Sequence, residues 1–353
     1  MEDKMIQKNI SAGLVVSAAL TLAFGIAPLA AAPTTVAEIA TYAGADRQSV
    51  LEAGAKREGV LLIYATGTQA DPLYEAFAKK YPFIKVESFK GDSPTVTRRV
   101  IEEYAASTYL VDTLDLAVAG LRPMMEAGLL QPYRSPEQSK FVPTAIEPKG
   151  HWTIDYESYV GLGYNSKLIP ESEAPKTYED LLDPKWRGKM AVPGSSTLGN
   201  WIGAMMVDKG EAFVRRFAEQ KIRVYEVSAR AVANLVVSGE VPLSPALFNS
   251  HMANSQDQGA PVDWRPLGGV YATTGAMALA AKSPHPHAAM LFIDFILSQE
   301  GQGLYQKLGY ASSRTDMPVR QAKPTKIFYF GDDPDYQEKY EKWMAIGRQI
   351  VGK

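Results

Sequence analysis

From Val60 onward the chain alternates short apolar runs with amphipathic stretches, and this alternation restricts its fold more than any other feature. "VLLIYATG" predicts a buried strand that closes in a glycine turn, and "DPLYEAFAKKYP" predicts a helix with Leu73, Ala76 and Phe77 on one side. "IKVESFKG" predicts a second strand. "SPTVTRRVIEEYAAS" opens with Ser followed by Pro, a helix start, and "LDLAVAG" predicts a third strand. Repetition of strand and helix points to a mostly parallel sheet covered by helices on both faces. Upstream, "EIATYAGADRQSVLEAGAKREG" has helical periodicity, with Asp46 as the expected cap and Gly59 as the expected stop.

"HWTIDYESYVGLGYNSKLIP" breaks this rhythm with a long extended segment rich in aromatics. "YEDLLDPKWRGKMAVPG" then predicts helix, turn and strand, and "SSTLGNWIGAMMVDKG" a helix reached through serines. "RAVANLVVSGEVPLSPALF" predicts helix, glycine turn and strand, so a second α/β pattern occupies residues 151–267. "GVYATTGAMALAA" is extended again, and two amphipathic helices follow, "PHAAMLFIDFILSQEGQGLYQKLG" and "DYQEKYEKWMAIGRQIV". A length of 353 residues suits two domains or one large α/β unit.

Ahead of this pattern, residues 1–32 are expected to be a cleaved secretory signal peptide. Lys4 and Lys8 precede an apolar run from Gly13 to Leu29 that ends in Ala30-Ala31-Ala32. The net charge of −2 supplies no global basic field for nucleic acid or an anionic membrane. Cysteine is absent, which excludes disulfides, thiolate metal sites and cysteine nucleophiles.

Enzyme signatures are also missing. "GSSTLG", Gly194 to Gly199, is not a nucleophile elbow, because its closing glycine comes too late. "HPH", His285 to His287, brings two imidazoles together with no further ligand nearby in sequence, and "GDDPDY" lacks the spacing of a calcium loop. No P-loop is present. His151 and His251 are isolated and are expected to be structural.

Four phrases in order, "VLLIYATGTQADPLYEAFAKKYP", "VGLGYNSKLIP", "YEDLLDPKWRGKMAVPGSS" and "AAMLFIDFILSQEGQ", resemble extracellular solute-binding proteins of ABC transporters. The group most resembled is the ferric-iron-binding-protein-like branch of the type II periplasmic binding fold. The resemblance implies a two-lobed α/β fold, each lobe a mixed, mostly parallel sheet flanked by helices, joined by two extended crossover segments. Lobe one is expected to combine residues 45–150 with 268–311, and lobe two 151–267 with 312–353. It also implies a periplasmic, non-catalytic monomer without cofactor, which delivers a small solute to an inner-membrane ABC permease with its ATPase.

Strand-to-helix junctions can hold an oxygen-rich ligand, because helix N-termini offer free amide N–H groups and a partial positive charge. The first such junction is Thr66, Gly67, Thr68 and Gln69, where Thr68 could equally serve as a helix cap. The second is Ser93 with Thr95, where Ser93 has the same alternative. The third, Ser195, Ser196 and Thr197, carries more hydroxyls than capping needs and is the strongest candidate. Tyr225 and Ser228 mark another junction, and Tyr156 and Tyr271 stand on the two extended segments. Arg230 is suited to a carboxylate or phosphate but is expected at the surface.

Ferric-binding members of the resembled branch hold their metal with two adjacent tyrosines after a lobe-two strand. Here that place reads Ala246-Leu247-Phe248-Asn249. Phe248 cannot coordinate, and Asn249 offers only a neutral amide. The expected cargo is therefore a small oxygen-rich organic anion, with Phe248 packing on it and Asn249 hydrogen-bonding to it, and no metal. Ferric iron held through a synergistic anion, and a secreted enzyme on the same scaffold, stand as the alternatives.

Overall fold

The computed structural model describes residues 34–333 and 335–351, so the expected signal peptide lies outside the described residues. Eleven strands run in chain order: β1 (Val60–Ala65), β2 (Lys85–Lys90), β3 (Thr113–Leu116), β4 (Leu130–Gln131), β5 (Trp152–Asn165), β6 (Ala191–Pro193), β7 (Arg223–Tyr225), β8 (Leu243–Phe248), β9 (Val262–Arg265), β10 (Gly269–Ala280) and β11 (Lys326–Phe328). The α-helices are α1 (Val36–Thr41), α2 (Arg47–Glu58), α3 (Asp71–Lys80), α4 (Ser93–Ala105), α5 (Val118–Glu126), α6 (Ser196–Lys209), α7 (Glu211–Arg215), α8 (Ala229–Ser238), α9 (Asn249–Asp257), α10 (Pro286–Leu297), α11 (Gln299–Lys307) and α12 (Tyr336–Ile350).

β1 pairs in parallel with β2 and β3, as the strand–helix–strand pattern requires. The sheet continues through β10 to β5 and β8 in the order β2-β1-β3-β10-β5-β8. β10 is antiparallel to β3 and β5, and β5 is antiparallel to β8 and β9. β5 and β10 are the two extended segments. They pair with each other from Trp152 to Tyr159 and break register between Gly275 and Ala276.

Apolar clusters divide along these two strands. Ile154 and Tyr156 belong to a core built on Leu61, Ile63, Phe77 and Phe292, whereas Val160, Leu162 and Tyr164 join one built on Trp201, Phe217 and Trp343. On β10, Ala276 to Ala280 pack with the first half, and Val270 and Ala272 with the second. The change of core thus falls inside each strand. Both strands cross from one lobe to the other, as crossover segments should.

Three local expectations are corrected. Asp46 stands at the start of α2 but makes no capping bond, because its carboxylate accepts from Tyr42 Oη at 2.6 Å. Asp92, not Ser93, caps α4, accepting from Thr95 N at 2.8 Å. "YEDLLDPKW" forms two short 3-10 turns rather than an α-helix, Asp180–Leu182 and Pro184–Trp186. Pro184 cannot donate to a continuing helix, and Asp183 caps the second turn from its own side chain. The "HPH" imidazoles are held apart, His285 on Asp112 at 2.9 Å and His287 on Glu58 at 2.6 Å.

Candidate functional site

β3 ends on crossover strand β10, where Leu116 pairs with Ala276, with β1 parallel beside it, and β8 ends on crossover strand β5, where Phe248 pairs with Val160. The loops after these strands therefore face one another, which is where open α/β sheets hold ligands.

On the lobe-one side, Thr66 N–H donates to Asp115 C=O at 3.1 Å, tying the end of β1 to β3. Gly67 has φ +73°, and a Cβ there would lie 2.3 Å from Gln69 Oε1, so only glycine lets Gln69 fold back over the loop. Gln69 Nε2 then donates to Tyr156 Oη at 3.0 Å. Thr68 and Gly67 are exposed. Thr68 does not cap α3 with its side chain, because Ala70 occupies the cap position. The buried ring of Tyr156 lies against Tyr310 at 4.6 Å and Tyr305 at 5.1 Å between centroids.

On the lobe-two side, three helix N-termini gather. Gly194 N–H donates to Tyr225 C=O at 2.7 Å, which brings the Ser195–Thr197 junction beside Tyr225. Ser195 makes no side-chain cap and instead donates to Thr197 Oγ1 at 3.3 Å. Ser196 is exposed, whereas Thr197 is buried. Ser228 caps α8, accepting from Ala231 N at 3.2 Å. Phe248 is half-buried and meets His251 edge-on at 5.3 Å.

Asn249 is committed to the fold. It is 2 % exposed. Its Oδ1 accepts from Tyr159 N at 2.7 Å and Ser158 Oγ at 3.1 Å, while Nδ2 donates to Gln321 Oε1 at 3.0 Å and Gly309 O at 3.4 Å. No donor or acceptor of that amide is left over for a solute.

Three further expected residues lie apart from this set. Ser93 is half-buried against α5, close to Gly120, and Thr95 is exposed on α4. Tyr271 stacks on Phe330 at 5.5 Å and 12°, within a cluster that includes Phe328, Tyr336 and Trp343. It lines a cavity of about 150 Å³ with Ala117, Thr273, Thr274 and Tyr329.

Three groups emerge that the residue patterns did not single out for ligand contact. Arg230, expected at the surface, is half-buried. Its Nη1 donates to His251 C=O at 3.0 Å, and it meets no carboxylate among the described residues. Burial pushes its pKa down, and the nearby Tyr310 phenol opposes that only in part. His251 is held neutral, its pKa lowered to about 4 by burial and then by Arg230, and its Nδ1 is buried without a partner. Glu157, buried on β5, accepts from Tyr159 Oη and, at 2.7 Å, from Tyr329 Oη. Arg230 sits two residues into a helix whose start the sequence marks, so position was legible. Its lack of a counter-ion was not.

Gln69 meets Tyr156, whose ring lies on Tyr310, and the Tyr310 phenol is near enough to Arg230 to feel its charge, while Arg230 bonds to His251, which meets Phe248. Together they offer one exposed polar loop, aromatic walls and, in Arg230, a cation that meets no carboxylate among the described residues. That combination suits binding of an anion with hydroxyl or amide contacts on its other side.

The family described as "Bacterial extracellular solute-binding protein" matches residues 119–333. Iron uptake protein A1 of Synechocystis sp. is 25% identical over 245 residues, covering 64% of this chain and 68% of its own. The fold is similar to that of iron-bound HitA from Pseudomonas aeruginosa, with a TM-score of 0.60 at 23% identity over 82% of this chain and 99% of the other. It is similar also to the periplasmic binding protein AfuA from Actinobacillus pleuropneumoniae with exogenous fructose-6-phosphate bound, at TM-score 0.62, 21% identity and coverage of 82% and 99%. These solved relatives are type II periplasmic binding proteins, the two-lobed architecture that the crossover strands build here.

Proposed function

The chain belongs to the bacterial extracellular solute-binding family, and on that premise we propose that it is the periplasmic receptor of an ABC importer for a small, oxygen-rich organic anion. The apolar segment within residues 1–32 supports export through a cleaved signal. Lobe one, 45–150 with 268–311, and lobe two, 151–267 with 312–353, close on the solute as a monomer. The loaded receptor then docks on a permease whose ATPase supplies the energy. The chain itself performs no chemistry.

Arg230 carries this reading. A half-buried guanidinium without a carboxylate is costly to keep, and an oxyanion offsets that cost with charge-assisted, bidentate hydrogen bonds. Thr66 to Gln69 contribute from the opposite lobe, as they must if binding is to favour the closed state, because only contacts that differ between open and closed states shift the hinge. Ser195 to Thr197, Tyr225 and Phe248 complete the lobe-two wall. The sugar phosphate held by AfuA is in keeping with an anionic organic cargo. Native mass spectrometry of the mature protein, purified without refolding, is expected to show a bound organic anion. A neutral adduct would sink the reading.

A second reading, ferric iron, draws on Glu157 with Tyr159 and Tyr329, which together are hard oxygen donors. The iron named for HitA and for the Synechocystis relative supports it. Against it, Tyr159 Oη is already committed to Glu157, and the place after β8 holds Phe248 and Asn249 instead of two tyrosines. Titration with ferric citrate separates the two: a visible charge-transfer band with one-to-one uptake would favour iron, and none is expected.

A further inference from the structure

Each lobe brings to the cleft a charge that its own side chains do not neutralise, and the two charges have opposite sign. In lobe two the charge is Arg230. In lobe one it is a pair of buried carboxyls, Asp115 at the end of β3 and Asp155 on β5, 4 % and 0 % exposed. Each accepts one phenol, Asp115 from Tyr74 at 2.7 Å and Asp155 from Tyr305 at 2.6 Å. Neither meets a cationic side chain at ion-pair distance among the described residues. The nearby lysine, Lys90, is bound to Asp71. Asp155 Oδ1 is buried with no side-chain partner, and only the backbone N–H groups of Asp155 and Tyr156 lie close to that carboxyl.

The pair lies directly behind the ligand loop. A Cβ on Gly275 would stand 2.7 Å from Asp155 Oδ1 and 2.1 Å from Tyr156 Cε1, so the carboxyl and the phenol share the space that glycine leaves on β10. Tyr156 in turn holds Gln69. Its phenol feels both carboxyls, and the phenol of Tyr310 feels both Arg230 and Asp115. The two uncompensated charges are thus connected through Tyr156 and Tyr310, at the centre of the proposed site.

We propose that the cleft selects a zwitterion: a small solute with an oxyanion for Arg230 and, a few bonds away, a protonated amine for Asp115 and Asp155. The inference rests on the oxyanion reading above. Gln69 guards the entrance to the acid pair. Its amide donates to Tyr156 Oη where a ligand ammonium would donate, and it projects from an exposed loop that can yield. The ammonium then gives hydrogen bonds to Tyr156 Oη and to Asp155 Oδ1, which has no side-chain partner. The competing occupant is a proton. Two buried carboxyls without a cation cannot both stay ionised, and burial pushes Asp115 up to about 6 and Asp155 well above the carboxylate range. Tyr74, Asp71 and Lys90 face Asp115, and Tyr156 and Tyr305 face Asp155, and no histidine contributes. A ligand amine therefore replaces a proton, and selectivity for it should grow as pH rises through about 6.

Calorimetric titration of the mature protein with O-phosphorylethanolamine and with ethyl phosphate, the same molecule without the amine, tests the proposal. At pH 7.5 the amine-bearing probe is expected to bind at least tenfold tighter. The preference should fall to within twofold in Asp155→Asn, in Asp115→Asn, and in the parent protein at pH 5. Arg230→Gln should weaken both probes at least tenfold. Equal affinity of the parent for the two probes, with both still dependent on Arg230, would overturn the zwitterion and leave the oxyanion reading standing. If neither probe binds at millimolar concentration, the oxyanion reading falls and this one with it. Melting curves of the two Asn variants establish that they are folded. Should one fail, the pH dependence in the parent protein still decides.

Discussion

The N-termini of α8 and α9 are neighbours in one lobe, yet the fold treats them in opposite ways. At α9, Asn249 satisfies two donors and two acceptors from β5 and from the 309–321 segment. At α8, Arg230 bonds to a backbone carbonyl and meets no counter-ion among the described residues. A side chain whose partners are all supplied by the protein stabilises the fold. One that is desolvated and left short of partners is available to a solute, and its cost is offset only when the solute arrives. Asn249, expected to touch ligand, is by this criterion a fastener of the crossover strand, and Arg230 is the contact we propose.

The sharpest way to break this comparison is Asn249→Ala. It strands the Tyr159 N–H and the Gly309 C=O in the interior, and unfolding free energy should fall by about 3 kcal/mol. A urea melt that shows no loss, with binding abolished instead, would reverse the roles assigned to α8 and α9. Arg230→Gln should do the opposite. Affinity for the anionic ligand should drop by roughly 2 kcal/mol, about thirtyfold, with the melting temperature of the empty protein held or raised.

Lobe one extends the same logic to a proton. Asp115 has its folded pKa raised to about 6, above the value of an unfolded aspartate, so the native state binds a proton that the unfolded chain releases. Its stabilising contribution is therefore complete in acid, below the unfolded value, and is lost as pH rises through about 6. Asp115→Asn should remove that loss and gain roughly 1–2 kcal/mol at pH 7.5 relative to the parent. His251, with its pKa lowered to about 4, acts in the contrary sense as pH falls below the ordinary histidine value, so the parent and the variant must be compared across the same range. A difference between them that does not change from pH 4.5 to 7.5 would remove Asp115 from the argument.

The smallest expected effect belongs to Ser196→Ala at the third N-terminus, α6. Ser196 is exposed and does not cap its helix, so stability should stay level while ligand affinity falls by roughly 1 kcal/mol. Calorimetry on this variant tests whether α6 belongs with the open or the closed kind of helix start.

The frame was legible because its signals are local. Alternating apolar runs, glycine stops and the two aromatic extended segments place β1 to β3, β5, β8 and β10 from windows of about ten residues. The failures were local as well. "YEDLLDPKW" has helical composition, but Pro184 and the capping carboxylate of Asp183 break it into turns. Several candidate ligand residues came from the same kind of signal, a strand ending at a helix start, and the structure gathers Thr66 to Gln69, Tyr156, Ser195 to Thr197, Tyr225, Ser228 and Phe248 around the crossovers. Ser93 and Thr95 follow β2 at the same end of the sheet, but Ser93 packs toward Gly120 of α5, and Tyr271 on β10 stacks on Phe330, because a local signal does not say which neighbours the fold sets beside a side chain.

Taken alone, the sequence determined the succession of strands and helices, the two crossovers and the absence of thiol chemistry. Backbone preference and hydrophobic periodicity act over a few residues, and composition needs no partner. Only the tertiary structure decided which polar groups are spent and which are free. The partners of Asn249 lie up to 91 residues away along the chain, and those of Asp155 up to 150. Whether a buried charge is compensated depends on what the fold sets beside it, and that is a property of the assembled sheet rather than of any segment within it.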